Sequence, residues 1–142
     1  DEDLCEVLIQ GVFRDNTLGP VLHLVCKPGG AVWVERKSGT AGANWGPIEG
    51  AAVRYATTTA PDGRWRGEAA IPWNLIGNEK TLPVLLRFNF CQNRRANCVS
   101  ASWAGPVDFG REERFMGVLY LRTPPEVGLN QDDGGRLSIS AR

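Results

Sequence analysis

Apolar side chains recur at every second position through most of this chain, not at the 3.6-residue spacing of a helix. Leu4 to Ile9 and Val21 to Cys26 alternate in this way. The connection between them, "QGVFRDNTLGP", carries the Asp, Asn, Gly and Pro of a turn, so the two runs predict a hairpin centred near Asp15 and Asn16. "AVWVER" is a third strand, followed by the glycine-rich loop "KSGTAGANWGPIEG" and then the β-branched run "AAVRYATTT". In "APDGRW", Pro presets φ, Asp bonds its own backbone and Gly accepts positive φ, which predicts a tight turn into "RWRGEAAIP". "WNLIGNEK" holds at most one helical turn, "PVLLRFNFC" and "CVSASW" form a further hairpin, and "RFMGVLYLR" closes the series with Phe115, Val118 and Tyr120 as apolar payload.

Regularly spaced strands without a sustained helical period predict an all-β domain, an antiparallel β-sandwich of the jelly-roll or immunoglobulin-like kind. Trp33, Trp65 and Trp73 lie in or beside alternating strands and are expected in its core. After Arg122 the composition changes to "TPPEVGLNQDDGGRLSISAR", in which Pro and Gly precede a last alternating scrap, so residues 123–142 read as a linker or C-terminal tail.

The charge balance narrows the partners. Sixteen basic and sixteen acidic residues among 142 give zero formal charge, which favours neither nucleic acid nor an anionic membrane. No apolar stretch reaches the ~20 residues of a membrane span, and the runs present are strand-sized.

Candidate chemistry is sparse. A nucleophile–histidine centre needs a base, and the one histidine, His23, sits in mid-strand, where it is expected to face solvent or a neighbour. Nothing in the spacing of Glu6, Glu49, Glu68, Asp108, Glu112 and Glu113 selects an acid pair for glycoside hydrolysis. Cys91 and Cys98 are too far apart for a zinc knuckle or a redox pair. If the first hairpin forms, Cys5 and Cys26 become cross-strand neighbours; geometry then permits bridges at Cys5–Cys26 and Cys91–Cys98, or equally four small buried hydrophobes. Trp45 and Phe109 stand in the Gly- and Pro-bearing segments "ANWGP" and "GPVDFG". A ring presented from a loop can stack on the apolar face of a sugar, or simply cap an open end of the sandwich.

Four blocks together, "DLCEVLIQ", "RWRGEAAIPWNLIG", "LRFNFCQNRRANCVSASWAG" and "DFGREERFMGVLYL", resemble the successive strands of family 9 carbohydrate-binding modules over residues 1–122. The resemblance implies a non-catalytic, sugar-binding sandwich, commonly attached to secreted enzymes that degrade xylan or cellulose and often bearing structural calcium. It also implies strands ahead of residue 1, a carbohydrate ligand, other domains of the same polypeptide as neighbours, and a secreted, periplasmic or cell-surface location. Phe109 matches one of two rings that sandwich a terminal sugar, and Glu6 matches an acidic group that bonds it. Asn93, Arg94 and Arg95 match the family's polar run, which holds its loop or reaches the ligand. In such modules the strand beside Glu6 supplies an arginine and an asparagine, whose places Leu24 and Cys26 take here. A sandwich that has lost its sugar site and serves as a structural or interaction module is the alternative.

Overall fold

The computed structural model describes residues 3–37, 44–77, 81–94, 99–104, 116–121 and 136–141, with side chains throughout except at 99–100 and 136–141. These residues form β1 (Leu4–Val12), β2 (Leu18–Cys26), β3 (Val32–Lys37), β4 (Trp45–Pro47), β5 (Arg54–Thr59) and β6 (Trp65–Pro72). A single helical turn, α1 (Trp73–Ile76), leads to β7 (Leu85–Arg94), β8 (Val99–Ser102), β9 (Gly117–Tyr120) and β10 (Arg136–Ala141). One sheet has the order β4-β3-β2-β1-β7-β8, with β9 also on β7; the second has the order β10-β6-β5. Every described pairing is antiparallel, and the chain is the all-β sandwich that the alternation predicts.

The turn chemistry works as the sequence suggests. Between β1 and β2, Asn16 takes φ 65° and Asp15 Oδ1 accepts the Thr17 amide at 3.0 Å, so the polar side chains close the turn themselves. Between β5 and β6, Gly63 adopts φ 80° while Asp62 Oδ1 accepts the Arg64 amide at 3.1 Å. The first hairpin runs further than its hydrophobic pattern. Gln10–Val12 and Leu18–Pro20 continue the ladder through a register shift between Gln10 and Val12, and this irregularity lets Gly11, Gly19 and Pro20 sit within strands.

The core lies between the sheets. Cys5, Val7 and Ile9 of β1, Leu22, Leu24 and Cys26 of β2, and Leu86 and Phe88 of β7 face Ala69 and Ile71 of β6 and Leu75 and Ile76 of α1. Each fully buried aliphatic side chain here contributes about 1.5–3 kcal/mol through removal from water. Trp65 and Trp73 pack against this cluster as expected.

Trp33 does not: it is 54% exposed, because β3 places it on the opposite face of the sheet from Val34, which is buried in the core. Val118 and Tyr120 are exposed as well, since β9 is a short strand on the outer side of β7. Phe115 lies outside the described residues. Residues 136–141, within the stretch that reads as linker or tail, instead pair along β6 from Pro72 to Gly67 as a strand of the second sheet.

Candidate functional site

Period-two alternation divides each strand of the large sheet between two faces. The face turned away from the second sheet carries Glu6, Leu8 and Gln10 of β1, set against Val25, His23 and Val21 of β2 and Cys91, Asn89 and Arg87 of β7. From β3 it receives Trp33 opposite Val25 and Glu35 opposite His23, and Trp45 of β4 lies opposite Lys37. The result is a polar array with a small apolar patch, Leu8, Val21 and Cys91, on which Trp45 and Met116 pack.

His23 is the centre of that array. Its Nδ1 lies 2.7 Å from Glu35 Oε1 and its Nε2 2.9 Å from Glu6 Oε2. Both ring nitrogens therefore face carboxylates, and two protons must be shared among the three groups. Either an imidazolium donates to two carboxylates, or a neutral ring donates to one and accepts from the other in its protonated form. His23 is 2% exposed and Glu35 5%, whereas the Glu6 side chain keeps 19% of its surface open to solvent, so Glu6 is the member that a ligand can reach. Asn93 donates its amide to the other oxygen of Glu6, Oε1, at 2.8 Å, which fixes the carboxylate from both sides. Trp45 stands edge-on to His23, with ring centroids 5.6 Å apart at 68°, and shields the imidazole. The Trp33 indole Nε1 reaches towards Glu35 Oε2 at 3.4 Å while most of its ring stays in water.

No family model, curated protein or solved structure matches the chain. The residues themselves must therefore carry the functional reading.

The structure sorts the residues singled out from sequence. Glu6, Asn93 and Trp45 come together on the outer face. Trp45 opens β4 instead of hanging in a loop, because the three-residue strand pairs with the end of β3. Arg94 is exposed and points the other way: it follows Asn93 by one residue, and alternation puts it at the rim of a cleft between the sheets. Phe109 and Arg95 lie outside the described residues.

Leu24 and Cys26 do not occupy the site at all. Both face the core, one residue out of phase with His23 and Val25, the β2 residues that share Glu6's face. Sequence reasoning missed Glu35 and Trp33 and undervalued His23. The period-two phase of "VLHLVC" and "AVWVER" was the available signal, but it is masked where both faces of a strand carry apolar residues.

The three described cysteines are small buried thiols. Cys5 does stand opposite Cys26, as the hairpin requires, yet both are free, as is Cys91, whose cross-strand partner is Ser102. Cys98 lies outside the described residues. Burial pushes the thiols of Cys26 and Cys91 up to about 11, and that of Cys5 further still, so they are unreactive at neutral pH.

Two other features stand apart from the His23 array. Asn89, buried, accepts the Ala104 amide at 2.9 Å and donates to the Ala104 carbonyl at 2.8 Å, tying the end of β8 back to β7. The cleft between the sheets, about 1050 Å³, is walled by core-facing groups such as Val7, Tyr55, Trp65, Phe88 and Phe90. Its lining also includes the polar groups of Asp3, Arg64, Arg66, Gln92 and Arg94, whereas the hydrogen-bonded array around His23 stands on the other face of the sheet. Among the described residues no group of three or more His, Cys, Asp or Glu side chains is placed to hold a metal ion.

Proposed function

We propose that this domain is a non-catalytic carbohydrate-binding module, recognising xylan- or cellulose-type sugars on the outer face of its large sheet. The observation that supports it is Glu6, a partly open carboxylate held from one side by His23 and from the other by Asn93, beside aromatic rings on a rigid sheet. A fixed carboxylate accepts hydrogen bonds from two sugar hydroxyls without reorganising, and an indole offers an apolar plane to the pyranose ring. Sheet residues hold such groups more accurately than loop residues do. In this role the module tethers an attached polysaccharide-degrading enzyme to its substrate.

The test is calorimetric titration and affinity electrophoresis with xylo- and cello-oligosaccharides. Wild-type protein binds at millimolar concentration or below, and Glu6→Gln, which keeps the shape but loses the charge, weakens binding about tenfold, the worth of one charge-assisted hydrogen bond. Absence of binding to every sugar overturns the reading. The structural or interaction module then takes its place, a role that fits the extent to which His23 and Glu35 are satisfied by one another.

A further inference from the structure

Close-packed protein interiors leave few spaces larger than a water molecule, yet the two sheets here enclose a cleft of about 1050 Å³. Five aromatic side chains wall it: Phe88 and Phe90 of β7, Trp103 just past β8, Tyr55 of β5 and Trp65 of β6. Phe88 and Trp103 meet edge to face with ring centroids 5.7 Å apart, and Trp103 stays 54% exposed. Tyr55 and Trp65 close over Gly67, where a Cβ would lie 2.7 Å from the phenol oxygen and 3.0 Å from the indole ring. Polarity is graded along the inner face of β7: Phe88 is buried, Phe90 and Gln92 are half-buried, and Arg94 is exposed. At the polar end, three arginines, Arg64, Arg66 and Arg94, stand against one acid, Asp3, among the described lining residues. Arg64 is held by Asp62 at 2.6 Å, whereas Arg66 and Arg94 make no ion pair among the described residues. Burial keeps the Cys5 and Cys26 thiols and the Tyr55 phenol protonated, so no anion forms within the walls to offset that positive surplus.

We infer that this cleft is a second ligand site, which takes a small amphipathic organic anion with its apolar ring body between the aromatic walls and its anionic oxygens at Arg94. Apolar walls supply the affinity of such a site, and a few polar groups at one end fix the ligand's orientation. The Arg94 guanidinium offers a fork of donors to an oxyanion, and its place on the same strand face as Phe88 and Phe90 sets the charged group and the rings in one line. The cleft lies on the inner face of the large sheet and the Glu6 array on the outer face, so the inference is independent of the carbohydrate-binding reading.

The experiment titrates the full chain with anilinonaphthalene sulfonate and with phenylnaphthylamine, which has the same ring system without the sulfonate, by dye fluorescence and by NMR of the tryptophan indole N–H groups. The expected result is that both dyes shift the Trp65 and Trp103 resonances and leave that of Trp33, on the outer face, unmoved, and that the sulfonate binds more tightly. Arg94→Gln, a change at an exposed side chain that the fold tolerates, weakens the sulfonate about threefold and leaves the neutral dye as it was. Added salt acts with the same asymmetry. Gly67→Ala, whose Cβ meets only the far ends of the Tyr55 and Trp65 side chains and so displaces the two rings, weakens both dyes alike. Unmoved Trp65 and Trp103 resonances, a neutral dye that binds as tightly as the sulfonate, an Arg94→Gln variant that binds the sulfonate as wild type does, or a Gly67→Ala variant that binds both dyes unchanged, overturns the inference. None of these outcomes bears on sugar binding at Glu6, which the oligosaccharide titrations read separately.

Discussion

His23 shows how much one residue can hold. Two carboxylates, one of them almost fully buried, meet on its imidazole. Removing one member of a buried ion pair leaves an uncompensated charge, so His23→Ala is expected to cost about 3–5 kcal/mol, measured by urea denaturation. Glu6→Gln, at the solvent-open end, costs less. The thiols yield a pH dependence. Cys26 and Cys91 are shifted upward by burial, so the folded chain keeps protons there that the unfolded chain releases near the ordinary thiol value. The stability they contribute is fully present below that value and is lost as pH rises towards about 11. Under reducing conditions the urea midpoint therefore falls between about pH 9 and about 11. The fall is shallower in a Cys26→Ala, Cys91→Ala double variant; equal slopes would show that burial does not shift these thiols.

At the scale of elements, the hairpins were the most legible part of the sequence. "RDNT" and "APDG" each set φ and supply a side-chain acceptor, which is chemistry local enough to be read without knowing the fold. The packing of α1 against β2 was not legible. A Cβ on Gly19 would lie 2.3 Å from the Ile76 carbonyl oxygen, so the helical turn can rest on this strand only where a side chain is missing. Gly19→Ala must push α1 away from β2 and is expected to destabilise by about 1–3 kcal/mol. Gly29→Ala, where nothing stands within 4 Å of the new Cβ, is the control, with an effect within about 0.5 kcal/mol. The ranking of the two in chemical denaturation is the check.

For the whole molecule, the second sheet decides the limits of the folded unit. It has three described strands, and β10 supplies the second partner of β6. Without β10, β6 and β5 are left as a two-stranded ribbon over the core, an arrangement that is marginal by itself, and the edge of β6 is open to pairing with other chains. A chain ending at residue 135 is therefore expected to unfold at lower urea and to aggregate at concentrations where the full chain stays monomeric, as seen by light scattering. Unchanged stability would mean that the strand adds nothing to the unit.

By itself, the sequence determined that the protein is built from strands, where its turns fall, and that Cys5 would meet Cys26, because period and turn chemistry act over a few residues. It also singled out Glu6, Asn93 and Trp45, which the fold brings to one face of the large sheet. Only the tertiary structure decided which face each strand turns to the core. "VLHLVC" is nearly as apolar in one phase as in the other, so the choice between His23 with Val25 and Leu24 with Cys26 depends on what the neighbouring strands and the second sheet can bury. That choice moved Leu24 and Cys26 into the core, and it set His23 between Glu6 and Glu35, residues 17 and 12 positions away. It also left Trp33 in water beside them.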